Sequence, residues 1–218
     1  TKRTESAKKG TPSDSDSDEN DDSSDDDDDD DDEHQWHESF LVGGLALSTA
    51  VVWDASTGNI ATKLALQKNR TESTIAWSVA TLPDGTIVTG DSTGRVTFFD
   101  ARTRIPIPEA TFRAHAASSD VLALCVGPDG KTVYSAGVDQ KVAEYTKIDT
   151  SNGRGRWIQS ASRRLHAHDI RALALDPPYS PLDAAQAIAN GTDASAAPSR
   201  LPVLLSGGVD FNLVLTPA

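Results

Sequence analysis

The sequence predicts an all-β chain built as an arc of a β-propeller, and three observations predict it. From Phe40 onward, short apolar runs of strand length are bounded by Gly, Asp, Asn, Ser or Pro, the texture of strands separated by turns. An aromatic residue recurs at Trp53, Phe99 and Tyr145, a constant spacing of 46 residues. Four strand-like runs fit inside each full repeat, and four strands in roughly 40–45 residues make a propeller blade.

The repeat emerges when each turn is aligned with the strand after it. Leu47-Ser-Thr-Ala-Val-Val-Trp53-Asp54 matches Thr93-Gly-Arg-Val-Thr-Phe-Phe99-Asp100 and Asp139-Gln-Lys-Val-Ala-Glu-Tyr145-Thr146. A fourth copy, Asp210-Phe-Asn-Leu-Val-Leu-Thr216, follows after 71 residues, and the excess of 25 matches a Pro/Ala/Ser-rich insert over 176–200. The blades are thus expected at 39–66 (partial), 72–114, 117–165 and 168–218 (partial, with the insert). In the second blade the expected strands are Ile75–Thr81, Thr86–Thr89, Arg95–Asp100 and Glu109–Arg113, with Pro83-Asp84-Gly85 as the first turn. In the third they are Val121–Val126, Thr132–Ser135, Lys141–Thr146 and Trp157–Arg163, with Pro128-Asp129-Gly130 as the turn. The first blade starts at its second strand and the last stops after its third. That count is 14 strands, where a closed four-bladed ring needs 16, so the chain is expected to be part of a larger ring. The absence of Met agrees with a start inside a longer protein. An isolated arc, with open strand edges and bare blade faces, is expected to aggregate.

Residues 1–38 have a different composition. A basic start (Lys2, Arg3, Lys8, Lys9) precedes a run from Asp14 to Glu33 with fifteen Asp or Glu and no Lys or Arg. Without those fifteen the formal charge of −13 becomes +2, so the acidity belongs to one segment and not to the blades. Like charges at this density repel and bury nothing, and a disordered loop insertion is expected. Carboxylates in such a run lack the fixed geometry and perturbing pocket that acid–base chemistry needs. His34 and His37 beside it would have to be ordered at an entropic cost to hold a metal.

The remaining composition excludes several function classes. The single cysteine, Cys125, sits in the apolar run 121–126, where a buried, reduced thiol and a reducing compartment such as cytosol or nucleus are expected. The longest mostly apolar stretch, Phe40–Trp53, is shorter than the ~20 residues a bilayer span wants, and no secretory signal is visible. There is no phosphate-binding Gly loop, no nucleophile elbow and no metal-ligand spacing. No catalytic, cofactor-binding or metal residues are therefore assigned, and no cofactor, membrane or small-molecule substrate is expected. Arg154, Arg156, Arg163, Arg164 and Arg171 cluster near the junction of the third and fourth blades. Such a patch can meet RNA phosphates or an acidic partner, or be an ordinary solvated surface. Trp77 and Trp157 lie in strand runs and read as core, which leaves no evident platform for stacking bases.

The pair Trp53-Asp54, weakened to Phe99-Asp100 and Tyr145-Thr146, resembles the dipeptide that names the WD-repeat family. His115 and His168 stand before a blade's first strand, and Ser135/Asp139 and Ser206/Asp210 occupy the family's strand-serine and turn-aspartate positions. The resemblance implies buried structural relays of His115, Ser135, Asp139 and Tyr145, and of His168, Ser206 and Asp210, with Trp53 and Asp54 as the first blade's members. It implies none in the second blade, which lacks both His and Asp, and it leaves His166 as an extra, exposed residue. The segments Ile75–Asp100, His166–Arg171 and Leu205–Asp210 further resemble the cirhin family of nucleolar WD-repeat proteins. That resemblance implies a ring of seven blades and a non-catalytic scaffold in the nucleolus, within a UtpA-like complex of the small-subunit processome. Its partners would be other WD-repeat and helical subunits and pre-ribosomal RNA. A chromatin-associated WD-repeat adaptor for histone-like basic partners is the alternative, and a propeller enzyme a weaker one. Ser13, Ser15, Ser23 and Ser24 each have an Asp three residues on, the pattern acidophilic kinases read. Mass spectrometry of the native protein is expected to find phosphate on them, each adding about 1.5–2 negative charges.

Overall fold

A computed structural model describes residues 39–67, 73–150, 155–176, 189–190 and 201–218. The acidic segment and nearly all of the 176–200 insert lie outside the described residues, as do Ser13, Ser15, Ser23, Ser24, His34, His37 and Arg154.

Among the described residues fourteen strands form four antiparallel sheets in chain order, with three, four, four and three strands. The first sheet holds β1 (Phe40–Gly44), β2 (Thr49–Asp54) and β3 (Ile60–Ala65). The second holds β4 (Ala76–Thr81), β5 (Ile87–Asp91), β6 (Val96–Phe99) and β7 (Pro106–Phe112). The third holds β8 (Val121–Val126), β9 (Thr132–Gly137), β10 (Lys141–Asp149) and β11 (Gly155–Arg164). The fourth holds β12 (Ile170–Asp176), β13 (Val203–Gly208) and β14 (Leu213–Pro217). Each sheet is a meander whose strands pair only with their sequence neighbours. Contacts of β1 with β4, β4 with β8, and β8 with β12 stack successive sheets face to face, the blade arrangement of a β-propeller.

The outer hairpin of the third blade is longer than its composition suggests. Polar Lys147 and Asp149 belong to the pairing of β10 with β11, opposite Trp157 and Gly155. The Lys147 ammonium lies over the Trp157 ring, 5.9 Å from its centroid, and pairs with Asp84 of the second blade at 2.8 Å, which anchors this polar residue in the strand. The outer strand β7 starts three residues before Glu109, and Glu109 itself holds a left-handed φ of 60°. The register with β6 slips between Thr97 and Phe99.

Burial follows the interfaces between blades. Ala50, Val52, Leu64, Ala76, Ile87 and Phe99 fill the space between the first and second blades. Phe98, Tyr145 and Trp157, with Val96, Val121 and Val133, fill the next. Tyr134, Ala136, Val142, Ile170 and Leu204 fill the third. Phe98 is the hub of the middle layer, stacked on Trp157 at 4.3 Å between centroids and edge-on to Phe112 at 5.9 Å and Tyr145 at 5.7 Å, geometries that aromatic quadrupoles favour. Trp157, read from the sequence as core, is buried, whereas Trp77 is 48% exposed. Cys125 is half-buried rather than fully enclosed, and that burial pushes its thiol pKa up.

One backbone feature recurs in all four blades. One residue in the turn before the third strand of each repeat has a left-handed φ: Ser48 (55°), Gly94 (79°), Gln140 (71°) and Phe211 (62°). This geometry closes the hairpin with the twist its strands require. Gly94 is needed at its position for a second reason, since a Cβ there would sit 2.4 Å from the Ala116 carbonyl oxygen.

Replacing Phe98 by Ala is expected to remove about 3–5 kcal/mol of stability, read as a lowered midpoint in denaturant, because it opens a cavity that the second and third blades share.

Candidate functional site

The polar residues that the repeat brings together are buried between strands, and each enters from a different element. In the third blade His115 comes from the loop before β8, Ser135 from β9, Asp139 from the β9–β10 turn and Tyr145 from β10. His115 Nδ1 lies 2.8 Å from Asp139 Oδ1, and Nε2 lies 2.7 Å from Ser135 Oγ. The hydroxyl of Tyr145 is 3.0 Å from the same Oγ. With a neutral imidazole every group is satisfied: Tyr145 O–H donates to Ser135, Ser135 O–H to Nε2, and Nδ1–H to the carboxylate. Asp139 also accepts from the backbone N–H groups of Ala116 at 3.1 Å and Lys141 at 3.3 Å, which closes both loops onto one side chain. Burial would raise the Asp139 pKa, but the His115 hydrogen bond and the two backbone donors outweigh it and hold the group below the ordinary carboxylate value. Burial raises the Tyr145 phenol.

The fourth blade repeats the arrangement with His166, not His168. His166 Nδ1 lies 2.9 Å from Asp210 Oδ1 and Nε2 lies 2.9 Å from Ser206 Oγ, while Ala167 N–H donates to Asp210 Oδ2 at 2.9 Å. His166 is buried and His168 is exposed. Counting back from the inner strand misleads here, because His166 stands four residues before β12 and His115 six before β8. The usable signal was the residue after the histidine: Ala116 and Ala167 make the same backbone bond to the turn aspartate. The His166 hydrogen bond, aided by backbone N–H donors, holds the Asp210 pKa well below the carboxylate range. Thr216, at the position of Tyr145, brings no aromatic ring.

Among the described residues Trp53 and Asp54 join no such relay. Asp54 accepts from the N–H and hydroxyl of Ser56 and from Thr57 N–H, capping its own turn, and these bonds lower its pKa. Asp100 does the same for Arg102 and Thr103 in the second blade. Both are Asx turns that begin the chain reversal after the third strand. Trp53 is half-buried, its ring lying over Gly43, where a Cβ would be 2.9 Å away.

The second blade has Thr89, Thr93 and Phe99 where the third has Ser135, Asp139 and Tyr145. Thr89 Oγ1 is buried and without a hydrogen-bond partner among the described residues. Asp91, two positions before Thr93, organises the turn by accepting from the N–H and hydroxyl of Thr93 and from Arg95 N–H.

The arginines of β11 among the described residues are not gathered at one place. Arg156 lies opposite Ile148 at one end of the β10–β11 hairpin and pairs with Glu109 at 2.9 Å. Arg163 and Arg164 lie at the other end, seven and eight residues along, about 23–26 Å at a strand's rise. Arg164 bonds Gln140, Arg163 lines a small groove with Tyr134 and Glu144, and Arg171 faces Asp169 at 3.7 Å on the inner strand β12. Among the described residues no cluster of His, Cys, Asp or Glu is placed to hold a metal ion, and no helix is long and apolar enough to cross a membrane.

Four antiparallel sheets stacked in sequence, with an imidazole–carboxylate–hydroxyl relay in the repeat, define the chain as an arc of a WD-repeat β-propeller. The family model of the WD domain, G-beta repeat, matches residues 107–143, from the end of the second blade through most of the third. The chain is 34% identical over 180 residues to "U3 small nucleolar RNA-associated protein 4" of Schizosaccharomyces pombe, covering 81% of this chain and 22% of that protein. It is 35% identical over 143 residues to the protein of the same name from Saccharomyces cerevisiae, covering 62% and 18%. Against the human homolog of that name the identity is 23% over 190 residues, covering 84% and 24%. The chain thus spans no more than about a quarter of the length of these curated relatives.

His166→Ala is expected to cost about 1–3 kcal/mol, because it strands Ser206 and Asp210, whereas His168→Ala stays within about 0.5 kcal/mol. Paired thermal melts check this. The carboxylates set a pH dependence of definite sign. Asp139 and Asp210 have folded-state pKa values below their unfolded ones. Their stabilisation is therefore complete above about pH 4 and is lost as pH falls through the folded values. Melts between pH 7 and 2 are expected to show this acid loss, reduced in Asp139→Asn.

Proposed function

We propose that this chain is a non-catalytic scaffold element of a nucleolar ribonucleoprotein assembly that supports small-subunit ribosome biogenesis and pre-ribosomal RNA processing. The observation that carries the reading is the similarity, over 81% of the chain, to a protein named for association with the U3 small nucleolar RNA. The geometry supports a non-catalytic role. The histidines and carboxylates with strongly arranged partners are spent on joining strands and turns. An imidazole hydrogen-bonded at both nitrogens inside a blade has no nitrogen left for a substrate. Blades locked in this way present fixed loops and strand edges to other subunits, in our reading the WD-repeat and helical subunits of a UtpA-like complex and, with them, pre-ribosomal RNA. Such a protein resides in the nucleolus.

Affinity purification of the tagged native protein, followed by RNA and protein identification, tests this. Enrichment of U3 and pre-ribosomal RNA with nucleolar proteins is expected. Histones in their place, with no pre-ribosomal RNA, would overturn it in favour of a chromatin adaptor.

A further inference from the structure

We propose that the outer strand of the third blade, β11, takes up an extended acidic segment of a partner protein as a further strand, with the segment's carboxylates against Arg163, Arg164 and Lys141. This goes beyond the scaffold reading and does not depend on which assembly the protein serves.

The third blade has all four strands and a neighbouring blade on each side, so the outer edge of β11 is unpaired among the described residues. A bare strand edge is a template for another chain, and proteins blunt such edges with proline, charge or shortness. The outer strand of the second blade is blunted in this way: Pro106 and Pro108 have no N–H to offer, and Glu109 is left-handed. In the first blade β3 is six residues long with Lys63 inside it. By contrast β11 runs for ten residues, and from Trp157 to Ser162 it holds neither proline nor charge.

The direction of its backbone groups follows from the pairing. Lys147 N–H donates to the Lys131 carbonyl on the β9 side at 2.8 Å. Successive residues of a strand point their N–H and C=O to alternate sides. Thr146 and Ile148 therefore serve β11, their partners Ile158 and Arg156 answer them, and Trp157 and Gln159 turn their backbone groups to the open edge. The register slips at Ser160 and then resumes. Leu165 N–H donates to the Gln140 carbonyl at 3.2 Å, so Arg163 faces β10 while Ser162 and Arg164 face outward.

Charge names the occupant. Arg164 stands directly opposite Lys141, and like charges so placed destabilise a strand pair. Neither of them, nor Arg163, makes an ion pair among the described residues, whereas at the other end of the hairpin Lys131, Lys147 and Arg156 are matched by Asp149, Asp84 and Glu109. Arg164 bonds the neutral Gln140 amide, and Glu144, which lines a groove with Arg163, accepts from Ser160 at 2.9 Å. A carboxylate from outside relieves the repulsion. RNA phosphates would neutralise the cations, but they only accept hydrogen bonds and would leave the edge carbonyls unanswered, whereas a peptide strand answers both groups. A second copy of β11 paired antiparallel would set Arg156 against Arg163.

The test places the photocrosslinker p-benzoylphenylalanine at exposed Gln159 of the whole protein in its native cells. Irradiation is expected to join it to a protein other than this chain, at a peptide that carries Asp or Glu. Ser162→Pro removes an N–H that the blade does not use, and is expected to abolish the crosslink without lowering the thermal melt. Arg163→Glu combined with Arg164→Glu should reduce its yield by about threefold or more, and this arm decides if Ser162→Pro proves unstable. A crosslink to RNA, to a second copy or to a peptide without carboxylates overturns the proposal, as does no crosslink or one at full yield in the charge reversal. Pre-ribosomal RNA still co-purifying in that case leaves the scaffold reading standing.

Discussion

The third and fourth blades each depend on a carboxylate and an imidazole joined in a buried relay. In the third blade His115, Ser135, Asp139 and Tyr145 join a loop, two strands and a turn. In a low-dielectric interior each hydrogen bond is strong, and each orphaned group is costly. The relay therefore acts as a specification as much as a source of stability. A register slip of one residue in β9 would turn Ser135 away from His115 and leave the polar set buried without partners. The fourth blade uses the same device without the phenol.

The second blade shows what holds when the device is missing. Phe99 is fully buried where the third blade has a tyrosine, and Thr89 keeps a buried hydroxyl with no partner among the described residues. Aromatic packing of Phe98 on Trp157, Tyr145 and Phe112 ties this blade to the next. Two cross-blade ion pairs, Lys147 with Asp84 and Arg156 with Glu109, reinforce the same seam. Both are exposed enough for solvent to screen them, so they contribute less than the rings beneath. Order in the blades is thus relayed by polar chains in two of them and by stacked rings in the one between.

Among the described residues the buried side-chain polar atoms without a hydrogen-bond partner are Thr89 Oγ1 and Trp157 Nε1. The bulged inner strands leave Trp77 and Arg171 exposed while Ala76 and Ile170, the residues before them, are buried. The arginines of β11 point to separate ends of a long hairpin, each near a group able to accept from it or balance it. Charge density that looks local along the chain is spread over about 23 Å in space, since an extended strand advances about 3.3 Å per residue.

What the sequence by itself determined is the repeat. Equal spacing of aromatics and turn residues made the strand count and the division into blades legible, because strands and tight turns are specified by nearby residues. It also carried the relay of the third blade, whose four members fall in register. Only the tertiary structure decided between His166 and His168, two residues apart in one loop. Which imidazole is buried depends on the path of that loop to Ser206 and Asp210, forty and forty-four residues away. The same holds for Trp77, whose strand run reads as core until the bulge turns it outward, and for Asp54, whose partners are its own turn rather than a distant histidine. Local periodicity fixes which residues form strands; which side chains meet across strands is settled by register and bulges, and those are properties of the packed sheets.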